Sequence, residues 1–283
     1  MLGIIYSKIF SSVGKKTRLS QPDKRPKILL ASGIFPPDIG GPATYVRNLC
    51  LALPALGYQV AVVTYSEGDE TEYPGCEMFY VGRQGNKAVR YFRFFRQILK
   101  QAGPADIIYA QGPFSEGIPT WLACRLLGRK YFFFFFGDHA WEQGRQRFGV
   151  TAGIDEFQNQ RHGFVVGVMN CLMRAVARGA YQVIVPSHYL AELVGNWGVA
   201  PERLHVIYNG IDLPDSEGRD KWRQQLGLSG PVLLSAGRLV PWKGYVKLIG
   251  AVKELTEQGV GLSLCLVGSG PQKEELERQV KES

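Results

Sequence analysis

Two cations stand close together in the segment SAGRLVPWKGYVKL, where Arg238 follows Gly237 at the end of an apolar run, and Lys243 and Gly244 stand where a helical period begins. A guanidinium and an ammonium beside a helix N-terminus make a strong phosphate site, because free N–H groups and both charges favour the same anion. The Gly-Lys-Ser/Thr order of a Walker loop is absent. The competing reading is a pair of solvated basic side chains. A second anion-friendly segment is FPPDIGGPATYV. There Gly40 and Gly41 let the backbone approach a ligand and Pro42 suits a first helical turn, although a tight turn that simply requires glycine fits equally well.

In LCLVGSGPQKEE, Gly268, Ser269, Gly270 and Pro271 lie between a strand and a helix. Lys273 occupies the place of the third glycine of a dinucleotide fingerprint, which weakens a nicotinamide or flavin reading. A nucleotide edge against this turn and a plain βα turn both stay open. Finally, GDHAWE follows the run YFFFFF, so Gly137, Asp138, His139 and Glu142 fall at the carboxyl end of a strand. A general base or a ligand of sugar hydroxyls would stand there. Asp138 as a helix N-cap and His139 as a structural residue are the alternative. His162, His188 and His205 have no partner pattern.

These segments must be held by a scaffold, and the pattern specifies one. KILLAS, YQVAVVTY, CEMFYVG, ADIIYA, KYFFFFFG, YQVIVPS and LHVIYNG read as strands, and helical periods fall at 43–56, 88–102, 117–127, 163–178 and 188–196. Near-continuous apolar strands imply burial on both faces, hence a parallel, doubly wound α/β domain. After the turn-rich runs GIDLPDSEG and GLSGP the pattern restarts with VLLSAG, a helix, LSLCLVG and a final charged helix. The expected organisation is an extension over 1–26, a whole domain over 27–212 and the first part of a second over 213–283. Two central strands alone leave edges and faces bare, so the second domain is expected to be cut short.

Composition narrows the class. With 33 Lys plus Arg against 25 Asp plus Glu the net charge is +8, which favours an anionic partner: a phosphate, a membrane surface or nucleic acid. The five cysteines are scattered without ligand spacing, so neither a disulfide framework nor a zinc site is expected, and a reduced, cytoplasmic setting fits. No apolar run approaches the roughly 20 residues that span a bilayer. The N-terminal stretch makes a poor signal peptide, because its basic cluster follows its short apolar pieces.

In order and spacing over 27–283, the Gly40-Gly41 loop, VIVPS ending at Ser187, YNGID with Asn209, Gly210 and Asp212, GRLVPWKG and the Gly-x-Gly-Pro turn at 268–271 resemble the family 4 (group 1) retaining glycosyltransferases of the GT-B fold. The resemblance implies two Rossmann-like domains facing a cleft, the first binding the acceptor and the second a nucleotide-sugar donor. It implies that Arg238 and Lys243 grip the donor diphosphate, that Gly40 and Gly41 lie over the same phosphates, and that Gly237, Gly268 and Gly270 border the nucleotide. A His or Asp at the end of the YFFFFF strand would face the donor sugar, and Asp138 and His139 both stand there. Beyond the nucleotide sugar no cofactor is implied, and no metal. The family's Glu-x7-Glu motif lies deeper in the second domain. Glu274 and Glu282 have that spacing but read as a charged surface helix. The expected partners are therefore a nucleotide sugar and a glycan or lipid-linked acceptor, not nucleic acid. A non-catalytic fragment that binds acceptor or partner is the other reading. Arg90, Arg93, Arg96 and Lys100 in KAVRYFRFFRQILKQ suggest peripheral contact with an anionic membrane, with core packing of a crossover helix as the competing account.

Overall fold

The computed structural model describes residues 25–68, 72–210 and 218–282. Most of the expected 1–26 extension, and Asp212, lie outside the described residues. The chain divides into two compact units after Gly210.

The first unit is a seven-stranded sheet in the order β3-β2-β1-β4-β5-β6-β7, and every neighbouring pair is parallel. The strands are β1 (Lys27–Ser32), β2 (Gln59–Ser66), β3 (Cys76–Gly82), β4 (Ile107–Gln111), β5 (Phe132–Phe134), β6 (Gln182–Val185) and β7 (Leu204–Val206). All seven apolar runs read from the sequence become strands. In the phenylalanine run, Phe133 and Phe135 enter the core on one side of the sheet and Phe132 and Phe134 the core on the other. This is what a central strand buried on both faces requires.

Helix α1 (Gly41–Ala55) covers one sheet face through Val46, Leu49, Cys50 and Leu53. Leu56 continues that periodicity but is 49% exposed, because it is the C-cap and the chain turns at Gly57 with φ 86. The other face carries α2 (Lys87–Ala102), α3 (Gly117–Leu127), α4 (His139–Arg147), α5 (Ile154–Asn159), α6 (Phe164–Gly179) and α7 (His188–Asn196). Asn86 caps α2 by accepting from Val89 N at 3.0 Å, and Phe94, Ile98 and Ala102 form its buried stripe. Ser187 caps α7 by accepting from Leu190 N at 3.2 Å.

The second unit holds α8 (Arg219–Gln225), β8 (Val232–Ala236), α9 (Tyr245–Glu257), β9 (Ser263–Val267) and α10 (Lys273–Lys281). Parallel β8 and β9 form a two-stranded sheet. Helices α9 and α10 cover one face, with a core of Leu239, Tyr245, Ile249 and Leu276. On the opposite face Leu234 is 69% and Val267 53% exposed, as two isolated central-type strands dictate. Glu274 and Glu282 are exposed at the two ends of α10, as the amphipathic reading of that segment expects.

Candidate functional site

In the first unit the strand order reverses between β1 and β4, and open α/β sheets bind ligands at the carboxyl ends beside such a switch point. The two strands end side by side on Ser32 and Gln111, both essentially buried. Ser32 Oγ lies 2.7 Å from Ile34 O and 3.2 Å from Gln111 Oε1, while Gln111 Nε2 donates to Pro42 O at 3.1 Å. One amide therefore ties the end of β4 to the first turn of α1. The other flank of the loop is held by Arg83, whose Nη1 donates to Asp38 Oδ1 at 3.0 Å and whose Nη2 pairs with Oδ2. Bidentate pairs of this kind fix geometry as well as charge. The glycine loop is thus pinned on both sides, with Ile39 fully exposed at its tip.

Helix α1 starts at Gly41 with no side-chain cap and no acidic residue in its first turn. Its free N–H end is open to an anion. A Cβ built on Gly41 would meet nothing within 4 Å, whereas one on Gly40 would stand 3.0 Å from Ile34 Cδ1. Folding does not need glycine at 41, and this separates ligand from fold. Gly41→Ala should leave the melting temperature within about a degree, since surface changes of this kind stay within about 0.5 kcal/mol. It should raise the KM for the ligand about tenfold; an unchanged KM, measured by initial rates, would remove Gly41 from the site.

Sequence reasoning missed Glu116. Its carboxylate folds back into the floor of the switch point between Gly33 and Gly112, where a Cβ on either glycine would collide with it. Ser115 Oγ and the backbone N–H groups of Gly33 and Glu116 bond to it. Burial nevertheless dominates and lifts its pKa from 4.5 to about 7. Because the folded value is the higher one, the protonated form favours the fold. That contribution is full below about pH 4.5 and fades as pH rises through about 7, on the order of 3 kcal/mol at most. Thermal melts at about pH 5 and about pH 8 should show wild type losing more stability with rising pH than Glu116→Gln. Parallel losses in the two proteins would contradict this assignment.

Asp138 and His139, left as alternatives by the sequence, separate here. Asp138 is 2% exposed and both its oxygens are engaged: Oδ1 accepts from Trp141 N at 2.9 Å and Oδ2 from Gln158 Nε2 at 2.8 Å. It is the N-cap of α4, and its carboxyl pKa is raised chiefly by burial. Asp138 thus fills the capping role that the sequence leaves open beside a catalytic one. His139 begins α4, with Nδ1 3.0 Å from Gly137 O, so Nδ1 donates to that carbonyl. Phe114 and Phe136 flank its ring edge-on at 6.4 and 4.9 Å.

In the second unit Arg238 follows β8 and Lys243 ends a single 3-10 turn (Pro241–Lys243) directly before α9. Both side chains are exposed, and among the described residues neither has a hydrogen-bond or ion-pair partner. The N-terminus of α9 carries no side-chain cap and no acidic residue in its first turn, and Gly244 enters it with φ 74. The glycines of the 268–271 turn have a reason of their own. Gly237 N donates to Val267 O, Leu239 N to Ser269 O (both 2.9 Å) and Gln272 N to Leu239 O at 3.1 Å. The two backbones touch, and a Cβ on Gly268 or Gly270 would collide with the carbonyl oxygen of Gly237 or Leu239. Gly268 and Gly270 therefore hold the segment that carries Arg238. Among the described residues no three His, Cys, Asp or Glu side chains converge as metal ligands, and none of the five cysteines is disulfide-bonded.

Residues 39–214 match the family model described as Glycosyltransferase Family 4, and residues 218–283 the one described as Glycosyl transferases group 1. The GDP-mannose-dependent alpha-(1-6)-phosphatidylinositol monomannoside mannosyltransferase of Mycolicibacterium smegmatis is 30% identical over 141 residues, covering 46% of this chain and 37% of that protein. Mannosylfructose-phosphate synthase of Agrobacterium fabrum is 25% identical over 317 residues, covering 96% of this chain and 65% of that protein. The chain thus spans less than two thirds of either relative. In fold it is similar to Anabaena Alr3699/HepE in complex with UDP and glucose, with TM-score 0.63 and 23% identity over 91% of this chain and 66% of that one.

Proposed function

The chain belongs to glycosyltransferase family 4, and on that footing we propose that it binds a nucleotide-diphosphate sugar and transfers the sugar, with retained configuration and without a metal ion, to a glycan or lipid-linked acceptor. The observation that carries this reading is the pair of exposed, unpartnered cations, Arg238 and Lys243, at the end of β8 and the uncapped start of α9. Cations left without a protein partner at the carboxyl edge of a parallel strand are placed for an anion. As the bond from the anomeric carbon to the diphosphate breaks, negative charge grows on the leaving phosphate, and the two cations stabilise it. That phosphate takes the acceptor hydroxyl's proton on the face it leaves, which retains configuration.

Within the first unit, the open N–H end at Gly41 suits a phosphate and His139 suits a sugar hydroxyl. Gly237, Gly268 and Gly270 border the nucleotide while holding Arg238 in place. The mycobacterial relative's name specifies a GDP-mannose donor and a phosphoinositide acceptor, and the HepE structure holds UDP; these support the donor and acceptor classes. The site of action is the cytoplasm. Release of nucleoside diphosphate from a panel of nucleotide sugars, with lipid-linked and free glycans as acceptors, tests the proposal. One donor should be split in an acceptor-dependent way with the product's anomeric configuration unchanged. An inverted product, or a rate abolished by chelation, would reject the mechanism.

A further inference from the structure

We propose that the outward face of the α2–α3 pair is a docking surface for an anionic lipid bilayer. Helices α2 and α3 lie in one layer over the same sheet face, because Phe94, Ile98 and Ala102 of one and Ala123 and Cys124 of the other enter a single core. The residues opposite those stripes therefore point away from the sheet in a common direction. They are Phe92 (59% exposed), Arg96 and Lys100 on α2, and Leu122 (45%), Arg125 and Leu126 (71%) on α3. The inward stripe satisfies the crossover packing, so the outward one is not explained by the fold.

Charge selects the occupant. Between Gln84 and Gly137 there are eight Lys and Arg residues and two acids, a net of six out of the chain's eight positive charges. Of the two acids, Glu116 is buried and Asp106 accepts from Lys27 N at 2.8 Å. Among the described residues Arg96, Lys100 and Arg125 have no carboxylate partner. Cations alone would also suit a nucleic-acid backbone, but phosphodiesters leave two leucines and a phenylalanine in water. An anionic bilayer interface accepts both kinds of side chain: the cations meet headgroups and the apolar groups enter the acyl boundary. Among the described residues no helix is long and apolar enough to cross a membrane, so the contact lies in the interface plane.

None of these side chains belongs to the candidate site, so failure of the surface is separable from failure of the donor site. Purified chain should float with vesicles of phosphatidylcholine containing about one third phosphatidylglycerol, and not with phosphatidylcholine alone. The variant Arg96→Ser, Lys100→Ser, Arg125→Ser should bind about a hundredfold more weakly, each cation near such a surface being worth about fivefold. Phe92→Ser with Leu126→Ser should cost about tenfold, and the loss should persist at high salt. Both variants should keep the wild-type circular dichroism, melting temperature and nucleoside-diphosphate affinity. Wild type that stays unbound, or variants that float as it does, would overturn the proposal. So would a nucleic-acid duplex that binds as tightly as the vesicles and ignores the Phe92 and Leu126 substitutions.

Discussion

Arg238→Ala is expected to lower kcat for sugar transfer by about a hundredfold to a thousandfold, the loss usual for removing one pre-placed donor from a developing negative charge. The melting temperature should not follow, because the side chain is exposed and has no partner within the described residues. Charge develops on the leaving phosphate mainly in the transition state, so kcat should fall more than donor affinity does. Lys243→Ala should follow the same pattern with a smaller loss, since an ammonium acts as a point charge and not as a planar fork. The two effects should be non-additive, as both groups serve one anion. Steady-state rates with and without acceptor check this; equal rates for wild type and Arg238→Ala would dismiss the assigned role.

Gly268→Ala should act through the fold instead, destabilising the second unit by on the order of 2–4 kcal/mol. The added methyl would occupy the place of the Gly237 carbonyl oxygen, which is backbone and has nowhere to move without breaking the bonds from Gly237 N to Val267 O and from Leu239 N to Ser269 O. Both unit-two tryptophans, Trp222 and Trp242, would report the change, and limited proteolysis should nick residues beyond 218 while the seven-stranded unit survives. Transfer should be lost with it, because Arg238 lies on the displaced segment. Gly41→Ala is the contrast: an open position where function should suffer and the fold should not. A stable Gly268→Ala protein with an unchanged proteolytic pattern would show that the turn can relax, contrary to the close backbone approach.

The seven strands and the helices α1, α2, α3, α6 and α7 were legible because a parallel sheet covered by helices writes its pattern into the sequence as unbroken apolar runs and 3.6-residue stripes. The short helices α4 and α5 left no such mark: HAWEQGRQR is polar and IDEFQN buries only Phe157. The cations at 238 and 243 and the glycine loops were legible as residue types at strand ends. What they touch was not. Glu116 and Gln111 gain their places from pairing across the switch point, where β1 and β4 meet although some eighty residues separate them. Their one local sign was a carboxylate and an amide in the glycine-bounded run QGPFSEG, just before an apolar helical period. For Asp138 the place at the end of a strand allowed both a cap and a base, and the hydrogen bonds from Trp141 N and Gln158 Nε2 show the cap. The glycines at 268 and 270 could be read through a nucleotide or as a plain turn, and the close contact with the chain's own backbone that requires them was not visible in the sequence.

The central claim, that Arg238 and Lys243 hold a donor diphosphate, is tested most directly by calorimetric titration of nucleoside diphosphates of each base into the wild-type chain and into Arg238→Ala with Lys243→Ala. One diphosphate should saturate the wild type, bind at least tenfold more tightly than its nucleoside, and lose that advantage in the double variant. Binding of diphosphate and nucleoside with equal affinity, or an undiminished diphosphate affinity in the double variant, would contradict the account.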